Sequence, residues 1–539
     1  MGCTSLMRDQ GNRWGVPCAV LAVMAAGCTA AGQTQAPLTL ADALQTTLER
    51  HPQLGIQEQQ VISQRGALQQ ASGQFDLLLS GDALQGHTFR ALTGFEEFQY
   101  SQYDNFNFNS ATTNTSQIDF AGTKEFRNGI IVNPSITDSR VTDNLTNRQG
   151  INAGKIQVAA TLPLLRGRRS TVVDAQEAAS AKQLKAAQFE VNETISGLLA
   201  TVASSYWTAV AAGKQLEVLR ESESSAKALT ESVRSLIEAD RIPRTDINEA
   251  EANLAVRESN RLVGEQRLVE ARQQLAIDMG LDATEMSALP EISAGFPEEV
   301  APEDIPTDSK SIGLYIQLAL ERKPELQALK QREEASQRIA GASRDALRPD
   351  LSVKVATGVT GLYEGTRIDQ YVTAPVHAIR GEDITAGITY RFAPGRDAAA
   401  GALEQANAAA RQTDLQYQDL ARRTAAAVAP ALLGFRSQAL QLRRMREAVQ
   451  LYRNSVDAEH EKLRMGAGNV MNTISVEDRL TGSLASEVQA QLGYLQALVR
   501  LRVATSTIVA PDQQTGFVDA DLFTTPPSLP AEAKAGASQ

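Results

Sequence analysis

One stretch of this chain occurs twice. The first copy reads Leu48-Glu49-Arg50-His51-Pro52-Gln53-Leu54 and the second Leu320-Glu321-Arg322-Lys323-Pro324-Glu325-Leu326, with Pro324 272 positions after Pro52. A short run follows each copy at the same distance: Phe75-Asp76-Leu77-Leu78-Leu79-Ser80, then Leu347-Arg348-Pro349-Asp350-Leu351-Ser352. Two landmarks in register with no gap imply an internal duplication, so every later segment is read for its counterpart.

The first copy opens with a short amphipathic helix carrying Leu40, Leu44 and Leu48. Pro52 disfavours helix at His51 but suits the first turn of a new helix, expected to end at Gly73. From Leu77 the period changes to two. The closing partner of this hairpin is clearer: Ile156, Val158, Ala160, Leu162 and Leu164 alternate with Lys155, Gln157 and Thr161. One apolar and one polar side suit a sheet between oil and water, which in a membrane barrel would set the apolar side against lipid. Residues 86–150 are rich in Asn, Thr and Gly. Ile118-Asp119-Phe120 and Gly129-Ile130-Ile131-Val132 look like further strands, and the region reads as an extended surface hairpin.

Helical periodicity returns after Arg166-Gly167-Arg168. Ile195, Leu198, Val202, Ser205, Ala209, Ala212, Leu216 and Leu219 step by three and four, the seam of a coiled coil. This helix breaks near Arg241-Ile242-Pro243, and a return helix runs to Gly280. Residues 289–310 are acidic and Pro-rich and read as a linker. The second copy then has alternating hairpin strands in about 350–392. Gly395-Arg396 answers Gly167-Arg168 at an offset of 228, so the first hairpin carries about 44 extra residues. A second long helix includes Pro430, expected to kink it. It turns at Arg464-Met465-Gly466-Ala467-Gly468-Asn469 and returns as far as about residue 508. The domains expected are a first repeat over 38–288 (hairpin about 77–164, helical hairpin about 170–282), a second over 311–510 (helical hairpin about 397–508) and a disordered tail over 511–539.

Arg8 and Arg13 precede an apolar run from Trp14 to Gly27, which reads as a secretion signal over residues 1–28. Cys3, Cys18 and Cys28 all fall in this leader, leaving the mature chain without a disulfide. Ala25-Ala26-Gly27-Cys28 is similar to a lipoprotein box with Cys28 as the acylated residue; cleavage a few residues later is the alternative. No later stretch reads as a membrane helix, so insertion would be by a β-barrel.

Catalytic signatures are missing. His51, His87, His377 and His460 are scattered without metal-ligand spacing, and neither a phosphate loop nor a nucleophile elbow occurs. A net charge of −11 without a basic stripe argues against nucleic acid. Neither an enzymatic role nor a cofactor is expected.

The order of elements, repeated behind a signal peptide, is similar to the TolC-like outer-membrane efflux family. The residues that carry the resemblance are Leu38-Thr39-Leu40-Ala41-Asp42-Ala43-Leu44 with His51-Pro52-Gln53-Leu54, the alternating hairpins, Leu162-Pro163-Leu164-Leu165-Arg166-Gly167 and the two helix-turn signatures. It implies a mainly α chain with a membrane β-barrel part and two tandem structural repeats. Each of three identical chains would give four strands to a shared 12-stranded barrel and its coiled-coil helical hairpins to a periplasmic tunnel. The function implied is an outer-membrane exit duct of a tripartite efflux or type I secretion system, working with a periplasmic adaptor and an inner-membrane pump. In such a family the hairpin turns form the inner mouth. Here that points to Asp246, Glu249, Asn472 and Ser475 at the aperture, and to Arg241, Arg244, Thr245, Arg464, Gly466 and Gly468 as adaptor-contact turns. The alternative is a periplasmic coiled-coil adaptor with no pore of its own.

Overall fold

The structure is a computed structural model. It describes residues 37–509 and 519–528, apart from 103–108, 146–147, 240, 288, 293–294, 380 and 466. The expected signal peptide, Cys28 and Gly466 therefore lie outside the described residues.

In chain order the elements are α1 (Leu40–Arg50), α2 (Pro52–Ser72), β1 (Leu77–Ala91), α3 (Gly94–Ser101), β2 (Ser110–Glu125), β3 (Ile131–Asp143), β4 (Ile151–Pro163), α4 (Ser170–Val173), α5 (Ala175–Glu238), α6 (Asp246–Asp278) and α7 (Ala283–Ser287). They are followed by α8 (Ser309–Arg322), α9 (Pro324–Asp345), β5 (Asp350–Glu364), α10 (Ile368–Thr373), β6 (Glu382–Arg391), α11 (Asp397–Arg464) and α12 (Val470–Ala504). Thr39 and Asp42 close α1 with a capping box. The duplicated prolines stand at the first positions of α2 and α9, where a missing N–H removes no intrahelical bond. The first copy also sits where the return helix ends. Gly280, at φ +79°, leaves no room for a Cβ, which would fall 2.8 Å from His51 Cα.

At 1.5 Å per residue, the 64-residue α5 and the 68-residue α11 each span roughly 100 Å. The helix α11 runs unbroken through Pro430. On α5, Ile195, Val202, Ala209 and Leu216 of the expected seam are buried, and so is a second stripe of Leu199, Ala203, Tyr206 and Val210. Packing on two sides makes this helix apolar enough over one stretch to cross a membrane, which the sequence reading did not expect. Just over half of that stretch is buried within the chain, at 56%, so its apolar residues are those of a core helix.

The main core joins both repeats. Trp207 and Phe435, which stand at equivalent positions, are both buried there. Residues 289–310 do more than link. Leu289 and Ile305 are buried in this core, Phe296 stacks on Trp207, and the Val300 N–H donates to Tyr494 Oη at 3.0 Å. The expectation of a disordered tail is overturned for residues 519–528. Phe523 is fully buried, and Arg502 donates to the Thr525 carbonyl at 2.8 Å.

The expected four strands are corrected to six, in one antiparallel sheet of order β1-β2-β3-β4-β5-β6 among the described residues. The stretch read as a surface hairpin supplies β2 and β3. Its many threonines are β-branched and favour extended backbone. Gly129 at φ +84° turns the chain between the two strands, where Phe126 N–H donates to the Ile130 carbonyl at 2.9 Å.

Candidate functional site

Two regions set what the chain can do: the sheet and the tips of the helical hairpins. The sheet has two unlike faces, and pairing carries each face across all the strands. One row on the first face runs Gly81, Phe120, Ile136, Ile156 and Val359 and ends on Glu382. The next row but one on that face runs Leu77, Lys124, Val132, Ala160, Val355 and Ala386. On the opposite face a row reads Asp82, Asp119, Thr137, Lys155 and Thr360. Leu78 and Leu84 on the polar face, and Lys124 and Glu382 on the apolar face, depart from this division. Leu79, Phe120, Ile136, Val158, Val355 and Ile388 all lie on the apolar face and are all exposed. A surface of that kind marks a partner or a membrane.

The hairpin tips meet at the other end of the chain. Leu229 and Val233 of α5, Ala250 of α6, Leu463 of α11, and Val470 and Ile474 of α12 form a small core of their own, with Ile242 and Ile247 packed against it. The α11–α12 turn is tight. Asn469 caps α12, its side chain accepting from Met471 N–H at 2.9 Å. A Cβ on Gly468 would fall 2.7 Å from the Leu463 nitrogen, so glycine is needed for close approach. The α5–α6 turn is closed by the Arg241 N–H donating to the Leu236 carbonyl at 2.9 Å.

The residues singled out from sequence lie on these tips. Arg241, Arg244, Thr245 and Arg464 are exposed and Gly468 is half-buried. Asp246 is half-buried and Glu249 exposed, both in the first turn of α6, where carboxylates favour the helix dipole. Asn472 and Ser475 are exposed in the first turns of α12. The shared tip core gathers these two groups at one end. No hydrogen bond joins Asp246 or Glu249 to Asn472 or Ser475 among the described residues.

Sequence reasoning missed the ionic ties just behind the tips. Arg257 of α6, nearly buried, pairs with Asp478 of α12. His460 Nε2 stands 2.9 Å from Oε1 of the buried Glu477. Burial pushes the Glu477 carboxyl above the usual carboxylate range, with His460 and Arg257 opposing the shift. Arg261 donates to Glu223 at 2.6 Å and to Glu265 at 2.7 Å. Lys227, hydrogen-bonded to Glu223, holds that carboxyl below its ordinary value, and Arg261 adds to the effect. One signal was available: His460 and Glu477 lie at similar distances either side of the Gly466–Asn469 turn, which an antiparallel hairpin brings together. Among the described residues no cluster of His, Cys, Asp and Glu could hold a metal ion.

Comparison with known proteins agrees with this geometry. Residues 315–507 match the family described as outer membrane efflux protein. The chain also superposes on the CmeC outer membrane channel of Campylobacter jejuni with a TM-score of 0.62, at 13% identity, covering 91% of this chain and 92% of that one. This chain has the fold of that outer membrane channel. The same fold is shared with VceC of Vibrio cholerae, at 14% identity and TM-score 0.60 over 86% of this chain and 95% of that one. It is shared too with the open-state MtrE channel of Neisseria gonorrhoeae, at 14% identity and TM-score 0.59 over 86% and 88%. No curated protein matches the chain. The shared fold thus rests on long-range architecture rather than on residue identity.

Proposed function

We propose that the chain is an outer-membrane exit duct of a tripartite efflux or type I secretion system, a passive conduit for small molecules or proteins. The observation that carries this is the two-faced sheet, apolar on one side and polar on the other, attached to helical hairpins about 100 Å long. Such a sheet suits lipid outside and water inside. Its end strands β1 and β6 are left unpaired in a single chain, and open edges are not tolerated in lipid. A homotrimer closes the wall. The long hairpins then reach through the periplasm to an adaptor and an inner-membrane pump. Arg241, Arg244, Thr245, Arg464, Gly466 and Gly468 make the adaptor-facing turns. Asp246, Glu249, Asn472 and Ser475 face the mouth, where a ring of carboxylates would favour cations. The duct makes and breaks no bond.

Cell fractionation tests the reading. The mature protein should sediment with the outer membrane, require detergent for extraction, and have the mass of three chains once solubilised. Recovery as a soluble periplasmic protein would refute the duct and favour an adaptor.

A further inference from the structure

We infer that the hairpin β2–β3 is part of the membrane wall itself, so that three chains close an 18-stranded barrel rather than a 12-stranded one. The inference rests on the duct reading and adds to it the girth of the pore. Six strands per chain form one sheet without a break. The inserted strands pair along nearly their whole length with both neighbours, from Leu77↔Lys124 to Ala91↔Ser110 on one side and from Ile131↔Thr161 to Val141↔Ile151 on the other. A flap lying on the surface has no need of such pairing.

The faces make the stronger case. Phe120 and Ile136 of the inserted strands stand in the same row as Ile156 and Val359 of β4 and β5. Asp119 and Thr137 stand in the row of Asp82, Lys155 and Thr360 on the other side. One residue of slip would exchange the two faces. The insertion therefore continues the division between lipid and water already present in the other four strands. With 16 and 13 residues, β2 and β3 exceed the 9–11 or so needed to cross a bilayer.

Both ends of the hairpin are placed accordingly. Its turn rests on the helical body, where Arg127 donates to Glu177 of α5 at 2.8 and 2.6 Å and its guanidinium lies 4.7 Å from the Phe75 ring. That is the level at which α2 hands over to β1. At the far end the apolar row gives way to Asp138 and Arg140, and α10 folds over that face. There Tyr371 donates to the Asp138 carbonyl at 3.1 Å. The apolar band is thus bounded above and below in the inserted strands.

The partner for each open edge is a second copy of this chain, β6 of one meeting β1 of the next. Every residue of β6 is exposed, and so is every residue of β1 except Gly86. On β6, Ile384, Ala386, Ile388 and Tyr390 lie on the apolar face, with Glu382 at its far end, and Asp383, Thr385, Gly387 and Thr389 on the polar face. On β1 the corresponding sets are Leu77, Leu79 and Ala83 against Ser80 and Asp82. Joining the two edges keeps both faces continuous. Barrels of 16–18 strands enclose an open aqueous channel.

Tryptophan fluorescence in lipids brominated along the acyl chain tests the inference. The substitutions are Phe120→Trp and Ile136→Trp on the inserted hairpin, Ile388→Trp on β6, and Asp119→Trp on the polar face. The wild-type signal is subtracted, and only variants that elute as the wild-type oligomer are scored. Loss of most added emission at positions 120, 136 and 388, with 119 spared, is expected. Quenching at 388 but not at 120 or 136 overturns the enlarged wall and leaves the duct standing. Quenching at none of these positions refutes the duct, and the inference with it. Electron cryomicroscopy of the wild-type protein in nanodiscs needs no substitution: a mid-membrane section with 18 strands supports the inference, and one with 12 overturns it.

Discussion

Leu463→Ala should loosen the hairpin tips and leave the rest of the molecule intact. Leu463 is 3% exposed and sits in a core of only six buried residues drawn from the ends of four long helices. Removing a buried leucine side chain costs about 2–5 kcal/mol, set by how far the surroundings collapse. A small cluster beside solvent collapses readily, so the low end applies, about 2–3 kcal/mol. At about 1.4 kcal/mol per decade, local opening becomes roughly 30- to 150-fold more populated. Hydrogen exchange of the detergent-solubilised protein reads this directly, because amides that exchange through local opening follow its equilibrium constant. Amides of residues 459–474 should exchange faster by that factor. Those around Leu432 and Leu442, in the main core, should not change. Leu463→Met, which conserves volume, should have little effect at either place. A rise of less than about threefold at the tip would refute the reasoning; so would an equal rise in both regions, which would mean that the tips and the main core open together.

Gly468→Ala places a Cβ against the Leu463 backbone and should cost about 1–3 kcal/mol as overpacking does. Trypsin should then cut faster at Lys462 and Arg464, and an unchanged cleavage rate would count against the close approach. Glu477 predicts a pH dependence. Its folded carboxyl holds the proton more tightly than the unfolded chain does, so the stability it contributes is complete below the unfolded value of about 4.3 and is lost as pH rises through the raised native value. Protection of the α11–α12 tip against exchange should therefore fall over that window in the wild type and fall less in Glu477→Gln, with Arg257, Asp478 and His460 as the neighbouring charges; identical profiles would remove Glu477 as the source. For the mouth, Asp246→Asn should lower cation preference in planar bilayers. Unaltered selectivity would exclude Asp246 from the constriction.

The long helices were legible because one stripe of apolar residues repeats every three or four positions. The second stripe on α5, through Leu199 and Tyr206, was not read because a helix packed on two sides loses the contrast between its faces. Strand β4 was legible for the opposite reason, since its apolar and polar residues alternate cleanly. In β2 and β3, Thr, Ser and Asn occupy both faces, and the alternation is carried by Ile118, Phe120, Val132 and Ile136 alone. All but Ile136 fall in the two short runs read as further strands, yet the pairing that makes them barrel-like appears only with neighbouring strands in place. The tip turns were read from Pro243 and from Gly466 to Asn469. The tie from Arg257 to Asp478 joins residues 221 apart, a separation that no local spacing rule encodes. Phe523 was hidden similarly: a single aromatic in a polar segment has no period, and the segment is held by Arg502 donating to the Thr525 carbonyl.

The connection between sheet and helices has a further consequence. Strands β1, β4, β5 and β6 each join α2, α4, α9 or α11 of the helical body at one end, whereas β2 and β3 join none of these helices, and only the short α3 lies between β1 and β2. Hairpins of the second kind can be added without lengthening, shortening or re-registering any helix, provided that their turn finds a seat, as Arg127 finds one on Glu177. Girth and reach are therefore separate dimensions in this architecture. The membrane end can be cut to the size of what must pass, while the distance spanned towards the inner membrane stays as it was.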